Sequence, residues 1–309
     1  LARQWLRNES ESPPQGTALR VMHFNALADC LAKSAPLLGA KRGFRCEPEA
    51  LAWEHRSGLL KEELLRHAPD IIGLCEVDRY DDFFEPEFSA RGYQGSFKRK
   101  RSPAKDGVAI LWRRRRLDEA LKRHVFLELE KGRRTKAAQV ALLQRLRLSS
   151  DEAGMGGRGI VACSTHLRAS ADDAFRMQQA SEVVSALSDF ARGDEQIVLA
   201  DVNSFATLNA ATGGNATNVY DYFTACGYRC AYRAVGKDSN IPSYTTWAGW
   251  ASGDFRATCD HIFVSKGIHV SAVLDVPSSE SLADAFPERL PNRAYPSDHM
   301  SLIADLVIT

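Results

Sequence analysis

Ile71-Ile72-Gly73-Leu74-Cys75-Glu76-Val77-Asp78 reads as a buried strand that ends on a carboxylate. Burying a carboxylate at the end of an apolar run is costly unless it is paired or ligates a metal. Taken singly, Glu76 could equally be a strand-end partner for a nearby arginine. The same design recurs, however, at Thr165-His166-Leu167, Ala200-Asp201-Val202-Asn203, Thr258-Cys259-Asp260-His261-Ile262-Phe263 and Ser297-Asp298-His299. Together these stretches offer an isolated carboxylate, an Asp-x-Asn, two histidines and a further aspartate. That set can hold a hard cation and perform in-line attack on phosphorus. It points to a metal-dependent nuclease or phosphatase.

Outward from this strand, apolar runs alternate with polar punctuation. Residues 1–18 are polar and Ser/Pro-rich and read as a flexible lead-in. Leu19 to Asn25 reads as a first strand. Residues 48–67 read as a helix, with Pro48 at its start, Trp53, Leu60 and Leu64 on one stripe, and Pro69-Asp70 stopping it. Further strands are expected over 107–112, 137–148, 159–165, 197–200, 260–264 and 301–308, and a helix over 172–190. Residues 204–218 read as a loop leading into a short helix near Tyr220, and the Pro-rich 276–296 as a long irregular loop. Strands outnumber helices, and the helices fall between only a few of them. That is not the regular strand–helix alternation of a doubly wound parallel sheet. The expected class is α/β, with two mixed sheets packed face to face and helices outside. No linker divides residues 19–309, which read as one catalytic domain.

Composition narrows the class. The chain has 309 residues, and 44% are hydrophobic, enough for a substantial core. No run of about eighteen apolar residues suggests a membrane-spanning helix. The seven cysteines are scattered, odd in number and free of any C-x-x-C pair, which argues for reduced thiols rather than a disulfide framework or zinc site. A cytoplasmic location is expected. The first residue is Leu1, not Met, which suggests a processed or trimmed product, so an upstream targeting segment and a mitochondrial location stand as the alternative. No interface signature stands out, and a monomer is expected. Net charge is only +1, yet cations cluster at Lys98, Arg99, Lys100, Arg101 and Lys105, at Arg113 to Arg116, and at Arg133, Arg134 and Lys136. These are either solvated strand-end charge or a polyanion-facing surface. Almost no aromatic residue is interleaved with them to stack bases.

Each polar strand end has a chemical and a bland reading. Asp201 and Asn203 are two apart and so face one cavity. The anion can orient a water and the amide can hold a phosphoryl oxygen, unless the pair merely closes an Asx-turn. His166 could donate to a developing phosphorane oxygen while Arg168 clamps a neighbouring phosphate. Asp260 is expected to pair with His299 and fix its tautomer. Asp298 adjoins His299 in an extended segment, where neighbouring side chains diverge, and is expected to bond to the backbone or stand behind the site.

These stretches, in this order, resemble the endonuclease/exonuclease/phosphatase superfamily, and within it the nocturnin-like branch related to deadenylase and angel proteins. The likeness runs from Leu19 to Ile308. It is carried by Arg20-Val21-Met22…Asn25-x-Leu27, Trp53-Glu54-x-Arg56, Pro69-Asp70-Ile71-Ile72, Glu76-Val77-Asp78, Gly92-Tyr93-Gln94-Gly95, Asp106-Gly107, Phe175-Arg176…Gln179, Tyr244-Thr245-Thr246-Trp247 and Tyr295-Pro296-Ser297-Asp298-His299. The resemblance implies a four-layered α/β sandwich and Mg²⁺ as cofactor, with Mn²⁺ as the alternative. Glu76 would ligate the metal. Asn25, Asp201 and Asn203 would line the site, His299 with Asp260 would act as base or charge stabiliser, and His166 would stabilise the transition state. Arg168, Arg176, Gln179, Asn203, Tyr295 and Pro296 would contact substrate. Cys75 stands where the family has Gln, Ala200-Asp201-Val202-Asn203 replaces Gly-Asp-Phe-Asn, His261 replaces Tyr, and Ser170 replaces a basic residue. Two substrates fit such an enzyme: the 2′-phosphate of NADP(H), and the adenine-rich 3′ end of RNA. A catalytically weak RNA- or partner-binding module is the reading from a different class.

Overall fold

A computed structural model describes residues 2–9, 13–34, 43–127, 139–148, 159–169, 173–204, 218–235 and 241–309. Two mixed sheets face each other. The first runs, in spatial order, β1 (Trp5–Arg7), β14 (Ile268–Leu274), β15 (Leu302–Ile308), β2 (Thr17–Asn25), β3 (Ile71–Val77), β5 (Gly107–Arg113) and β4 (Tyr93–Arg99). The second runs β10 (Arg229–Cys230), β13 (Asp260–Val264), β9 (Glu195–Asp201), β8 (Ile160–His166), β7 (Gln139–Leu148) and β6 (Leu117–Leu127). A hairpin of β11 (Thr246–Trp250) and β12 (Gly253–Ala257) stands apart. The helices are α1 (Asp29–Ser34), α2 (Pro48–Leu51), α3 (Trp53–Arg66), α4 (Glu85–Ser89), α5 (Asp173–Ala191), α6 (Val219–Ala225), α7 (Ala231–Ala234) and α8 (Ser279–Ala285).

Alternation along each strand sorts the residues into layers. Val21, Ile71 and Cys75 face the second sheet, where Val140, Ile160, Ile197 and Leu199 join them in a shared core. Met22, Phe24, Ile72 and Leu74 face the other way and pack against Trp53, Leu60 and Leu64 of α3 and Phe88 of α4. Val183 and Leu187 of α5 cover the second sheet. The result is the four-layered sandwich expected from the sequence. At Gly73 the sheets approach closely, since a Cβ there would lie 2.6 Å from Leu199 Cβ.

Each sheet holds one parallel pair, β2 with β3 and β8 with β9. Every other pairing in the two sheets is antiparallel. The connections that make those pairs parallel run through α2–α3 and α5. The carboxyl ends of both pairs, Asn25 with Glu76 and His166 with Asp201, then lie at one rim.

Several sequence expectations are corrected. Part of the lead-in is ordered: Trp5–Arg7 pairs with β14, because Arg20 packs over the Trp5 ring and Arg3 hydrogen-bonds Ser301. The 48–67 helix breaks at Ala52, whose ψ of 135° is extended. Ser279–Ala285 is helical inside the Pro-rich loop, capped by the Ser278 hydroxyl accepting from the Ser281 amide. Strands β4, β6 and β14 and the β11–β12 hairpin went unread. Most of the 204–218 loop, the 133–136 cations and Ser170 lie outside the described residues.

Candidate active site

The rim gathers seven of the expected residues, Asn25, Glu76, His166, Asp201, Asn203, Asp260 and His299. Asn25 Nδ2 donates to Glu76 Oε1 at 3.2 Å and to Asp201 Oδ2 at 3.0 Å, so one amide joins the two sheets. His166 Nε2 lies 3.6 Å from Asp201 Oδ2, and its Nδ1 lies 4.0 Å from Glu76 Oε1. His299 Nε2 lies 3.9 Å from Asp201 Oδ2, while its Nδ1 is 2.8 Å from Asp260 Oδ2. Asp260 opens β13 directly opposite Asp201 at the end of β9.

The backbone is bent to present these groups. Glu76 has φ 54° and Asn203 φ 50°, a left-handed conformation that non-glycine residues seldom adopt. Such strain concentrates at functional sites because the surrounding fold must hold it. At Glu76 the β3–β5 register shifts between Leu74 and Val77, so a bulge re-aims the carboxylate off the sheet. At Asn203 both readings of Asp-x-Asn hold. Asp201 Oδ1 accepts the Asn203 amide at 3.0 Å in an Asx-turn, which leaves Oδ2 facing the site. Asn203 Nδ2 is 2.9 Å from His166 Nε2 and donates to Leu167 O at 3.0 Å.

Asp260 is saturated. His23 Nε2 sits 2.9 Å from its Oδ1, while His299 Nδ1 and the Thr245 hydroxyl, at 2.6 Å, share its Oδ2. Burial would raise its pKa, but the charge of His299 and the hydrogen bond from His23 hold it well below the carboxylate range. Burial would likewise lower His299, yet the charge and hydrogen bond of Asp260, with Asp298 and Asp201, hold it well above the usual imidazole value. His299 is therefore an imidazolium on a carboxylate. His166 is the opposite: burial, then the positive charges of Lys100 and His299, push it well below 6.5 and keep it neutral.

Glu76 and Asp201 are under-compensated. Burial and the Asp298 charge raise Glu76 to about 7. Burial and the Asp260 charge raise Asp201 to about 6. Among the described residues the Glu76 oxygens accept only the 3.2 Å Asn25 contact and a 3.3 Å bond from the Ala28 amide. Hard oxygen donors with spare lone pairs and unmatched negative charge fit a hard divalent cation. Asp201, Asp260 and His299 also bring three ligand atoms within 4.8 Å of one another. The Asp260 oxygens, however, are already filled by hydrogen bonds.

Other expected residues lie elsewhere. Arg176 is buried and paired with Asp173 at 2.6 Å. Gln179 is fully buried and accepts the Arg168 amide at 3.0 Å, bracing the turn after His166. Tyr295 donates to Glu63 at 3.1 Å and packs edge-on against Phe24, and the Pro296 carbonyl accepts Arg56 Nε at 2.8 Å. These four support the loops through these contacts, although Gln179 Nε2 is buried without a partner among the described residues. The Asp298 side chain has one buried oxygen, Oδ1, without a partner among the described residues, and its backbone carbonyl accepts from Thr246 and Trp247.

Sequence reading missed His23, Thr245, Lys100 and Asp106 as parts of the site. Lys100 Nζ is 3.5 Å from His166 Nδ1 and bonds Asp106 Oδ2 at 2.5 Å. His23 was findable, being two residues before Asn25 and so on the same strand face.

Residues 22–299 match the family described as Endonuclease/Exonuclease/phosphatase. Nocturnin of Homo sapiens is 32% identical over 99% of this chain and 69% of its own length. The 2′,5′-phosphodiesterase 12 of Rattus norvegicus is 26% identical over 93% of this chain and 51% of its own. The chain spans about two thirds of the length of the mammalian nocturnins it matches. The solved human nocturnin catalytic domain, with a bound sulfate anion, superposes with TM-score 0.72 at 28% identity, covering 99% of this chain and 98% of that one. ANGEL2, described as a 2′,3′-cyclic phosphatase, superposes with TM-score 0.80 at 19% identity over 100% and 99%, a likeness of fold.

Proposed function

The chain belongs to the endonuclease/exonuclease/phosphatase family and to its nocturnin-like branch, and from that premise we propose that it is a Mg²⁺-dependent phosphoester hydrolase that removes the 2′-phosphate of NADP(H). The observation that carries the hydrolytic reading is the rim itself. An under-compensated Glu76, a carboxylate that can take a proton at Asp201, and the charged His299–Asp260 pair all converge on one point. The ribose 2′-phosphate is supported by the nocturnin likeness over 99% of the chain. A second relative is named for 2′,5′-phosphodiester cleavage.

Glu76 would hold the cation, which would draw charge off the phosphoryl oxygens when bound. Mn²⁺ could substitute for Mg²⁺ at such an oxygen site. Asp201 orients the attacking water and takes its proton. Its raised pKa makes it a stronger base than an exposed aspartate while leaving it ionised at neutral pH. Asn203 would hold a phosphoryl oxygen by turning its amide away from the Leu167 carbonyl. His299 stays protonated and faces the negative charge that builds on phosphorus. Neutral His166 can donate one hydrogen bond there without adding charge. As the water oxygen bonds to phosphorus the P–O2′ bond breaks, and the ribose oxygen takes up a proton from solvent water; Lys100, beside His166, offers a cation to the released phosphate.

The test is phosphate release from NADPH in Mg²⁺, beside degradation of a labelled oligo(A). Release from NADPH with intact oligo(A) is expected. Glu76→Gln and Asp201→Asn should each cut kcat by about 10²–10⁴-fold. Shortened oligo(A) with no phosphate from NADPH would replace this reading with a 3′-exoribonuclease. Turnover that survives Glu76→Gln on both substrates would remove the enzymatic assignment.

A further inference from the structure

Strand β2 puts three alternate residues, Val21, His23 and Asn25, on the face that looks at the second sheet. Two of them are polar, and each meets a carboxylate there. Asn25 Nδ2 donates to Asp201 Oδ2 at 3.0 Å, and His23 Nε2 donates to Asp260 Oδ1 at 2.9 Å. Asp201 and Asp260 are themselves opposite partners in the β9–β13 ladder. One strand of the first sheet thus carries a pair of donors that matches a pair of carboxylates on the second.

His23 is fully buried, and its contact with a carboxylate requires a proton on Nε2. Its other ring nitrogen, Nδ1, has no partner among the described residues. Burying an imidazole and stranding one of its nitrogens costs free energy. A leucine would fill the space between the sheets with no nitrogen to strand. The ring is therefore explained by what it does to Asp260 rather than by packing.

The donors to Asp260 are divided unevenly between its oxygens. Thr245 Oγ1 accepts the Cys259 and Asp260 amides, each at 2.9 Å, so its single proton goes to Asp260 Oδ2 at 2.6 Å. His299 Nδ1 shares that oxygen at 2.8 Å. Among the described residues Oδ1 has His23 alone. The terminal torsion of an aspartate is soft, and a donor on each oxygen is what stops it turning. Without His23, Thr245 still holds Oδ2, but the carboxylate plane can tilt and His299 loses a fixed acceptor.

We propose that His23 is a positioning residue for hydrolysis: its Nε2–H pins Asp260 Oδ1, which fixes the plane of that carboxylate and so the aim of the His299 ring at the reacting phosphorus. Fully buried, His23 acts through Asp260 and not on substrate. His299 Nε2 lies 3.9 Å from Asp201 Oδ2, so a small tilt of the ring moves it relative to the group that takes the proton from water. The role rests on the hydrolytic centre proposed above, though not on which phosphate is cleaved there.

Three substitutions separate positioning from packing. A Gln amide nitrogen reaches as far as Nε2, an Asn amide nitrogen only as far as Nδ1, and Leu has no donor. On NADPH, His23→Leu and His23→Asn should each lower kcat about 10–100-fold with KM within about twofold, whereas His23→Gln should stay within about fivefold of wild type. The second readout needs neither metal nor turnover. It is the proton resonance of His299 Nδ1–H in EDTA-treated protein, recognised by its loss in His299→Gln. That resonance should shift in His23→Leu and His23→Asn and return in His23→Gln. If the Leu variant does not fold, the Asn and Gln variants decide, because both are polar and they differ only in reach. An unmoved resonance with wild-type kcat would make His23 a packing residue and overturn the proposal. Equal losses of kcat in the Asn and Gln variants would overturn it too, since the donor at the Nε2 position would then not matter. Wild-type protein that hydrolyses neither NADPH nor oligo(A) would remove the hydrolytic reading, while the resonance would still decide whether His23 sets the His299 ring.

Discussion

Asp260 and Glu76 are both carboxylates at strand ends, yet the fold treats them in opposite ways. Asp260 is surrounded by two imidazoles and a hydroxyl and is ionised under all ordinary conditions. Glu76 is left with long contacts and a raised pKa. Next to Asp260, His261 points to the other face of β13, among Tyr220 and Phe263 at 5.2 Å each, with Nε2 unpartnered among the described residues. Burial holds it down to about 4, against 6.5 for the free side chain. The unfolded chain therefore takes up a proton near 6.5 while the folded one resists until about 4. Stability from this residue is fully present above 6.5 and is lost as pH falls through that window, by at most about 3 kcal/mol. His261→Phe should flatten the acid limb. Urea midpoints at pH 7 and pH 4.5 should converge for the variant relative to the parent, and an unchanged difference would show that His261 is not held neutral.

Gly73 decides how closely two strands from different sheets approach. A methyl group there meets Leu199 Cβ at 2.6 Å and Cδ1 at 2.7 Å, so Gly73→Ala must push β3 from β9. The expected cost is about 1–3 kcal/mol. Leu199→Ala should recover part of it in a double-mutant cycle of chemical denaturation, and strict additivity would mean the sheets do not touch there. The strands that carry the site were legible because their polarity changes abruptly at the catalytic residue, as at Cys75-Glu76 and Ala200-Asp201. Strand β6 was not legible. Leu117 to Leu127 is an edge strand with one thin buried side, and its run of exposed charges hides any period of two. Helix α8 was hidden by its flanking prolines, although Ser278 was present as a cap. Arg176, Gln179 and Tyr295 read as ligand contacts because a polar group within a motif gives no sign of whether its partner is substrate or protein. Lys100 could not be told from its solvated neighbours for the same reason: only tertiary structure brings Asp106 and His166 to it.

Across the molecule, buried Arg56 ties separate segments together. Its guanidinium donates to the carbonyls of Ala26 and Leu27 after β2 and of Pro296 before His299. Ser297 Oγ adds a 2.7 Å bond to Asn25 O. Arg56→Met should strip several buried carbonyls of their donor, costing more than about 3 kcal/mol. It should also lower kcat, because the loop that carries His299 loses its anchor to Asn25. A urea midpoint that falls while kcat holds would separate the two roles. The placement of β15 reaches further. It lies inside the first sheet, between β14 and β2, so the interior of that sheet is closed by the last strand described. During synthesis, a ribosome that has released residues 17–274 has made both flanking strands but not the strand that fills the gap between them. Its nascent chain exposes two unpaired, hydrophobic strand edges until Ile308 emerges. Competence to hydrolyse thus waits on β15: His299 enters the site with the strand that seals the sheet, and a chaperone that shields those edges would set how much active protein folds.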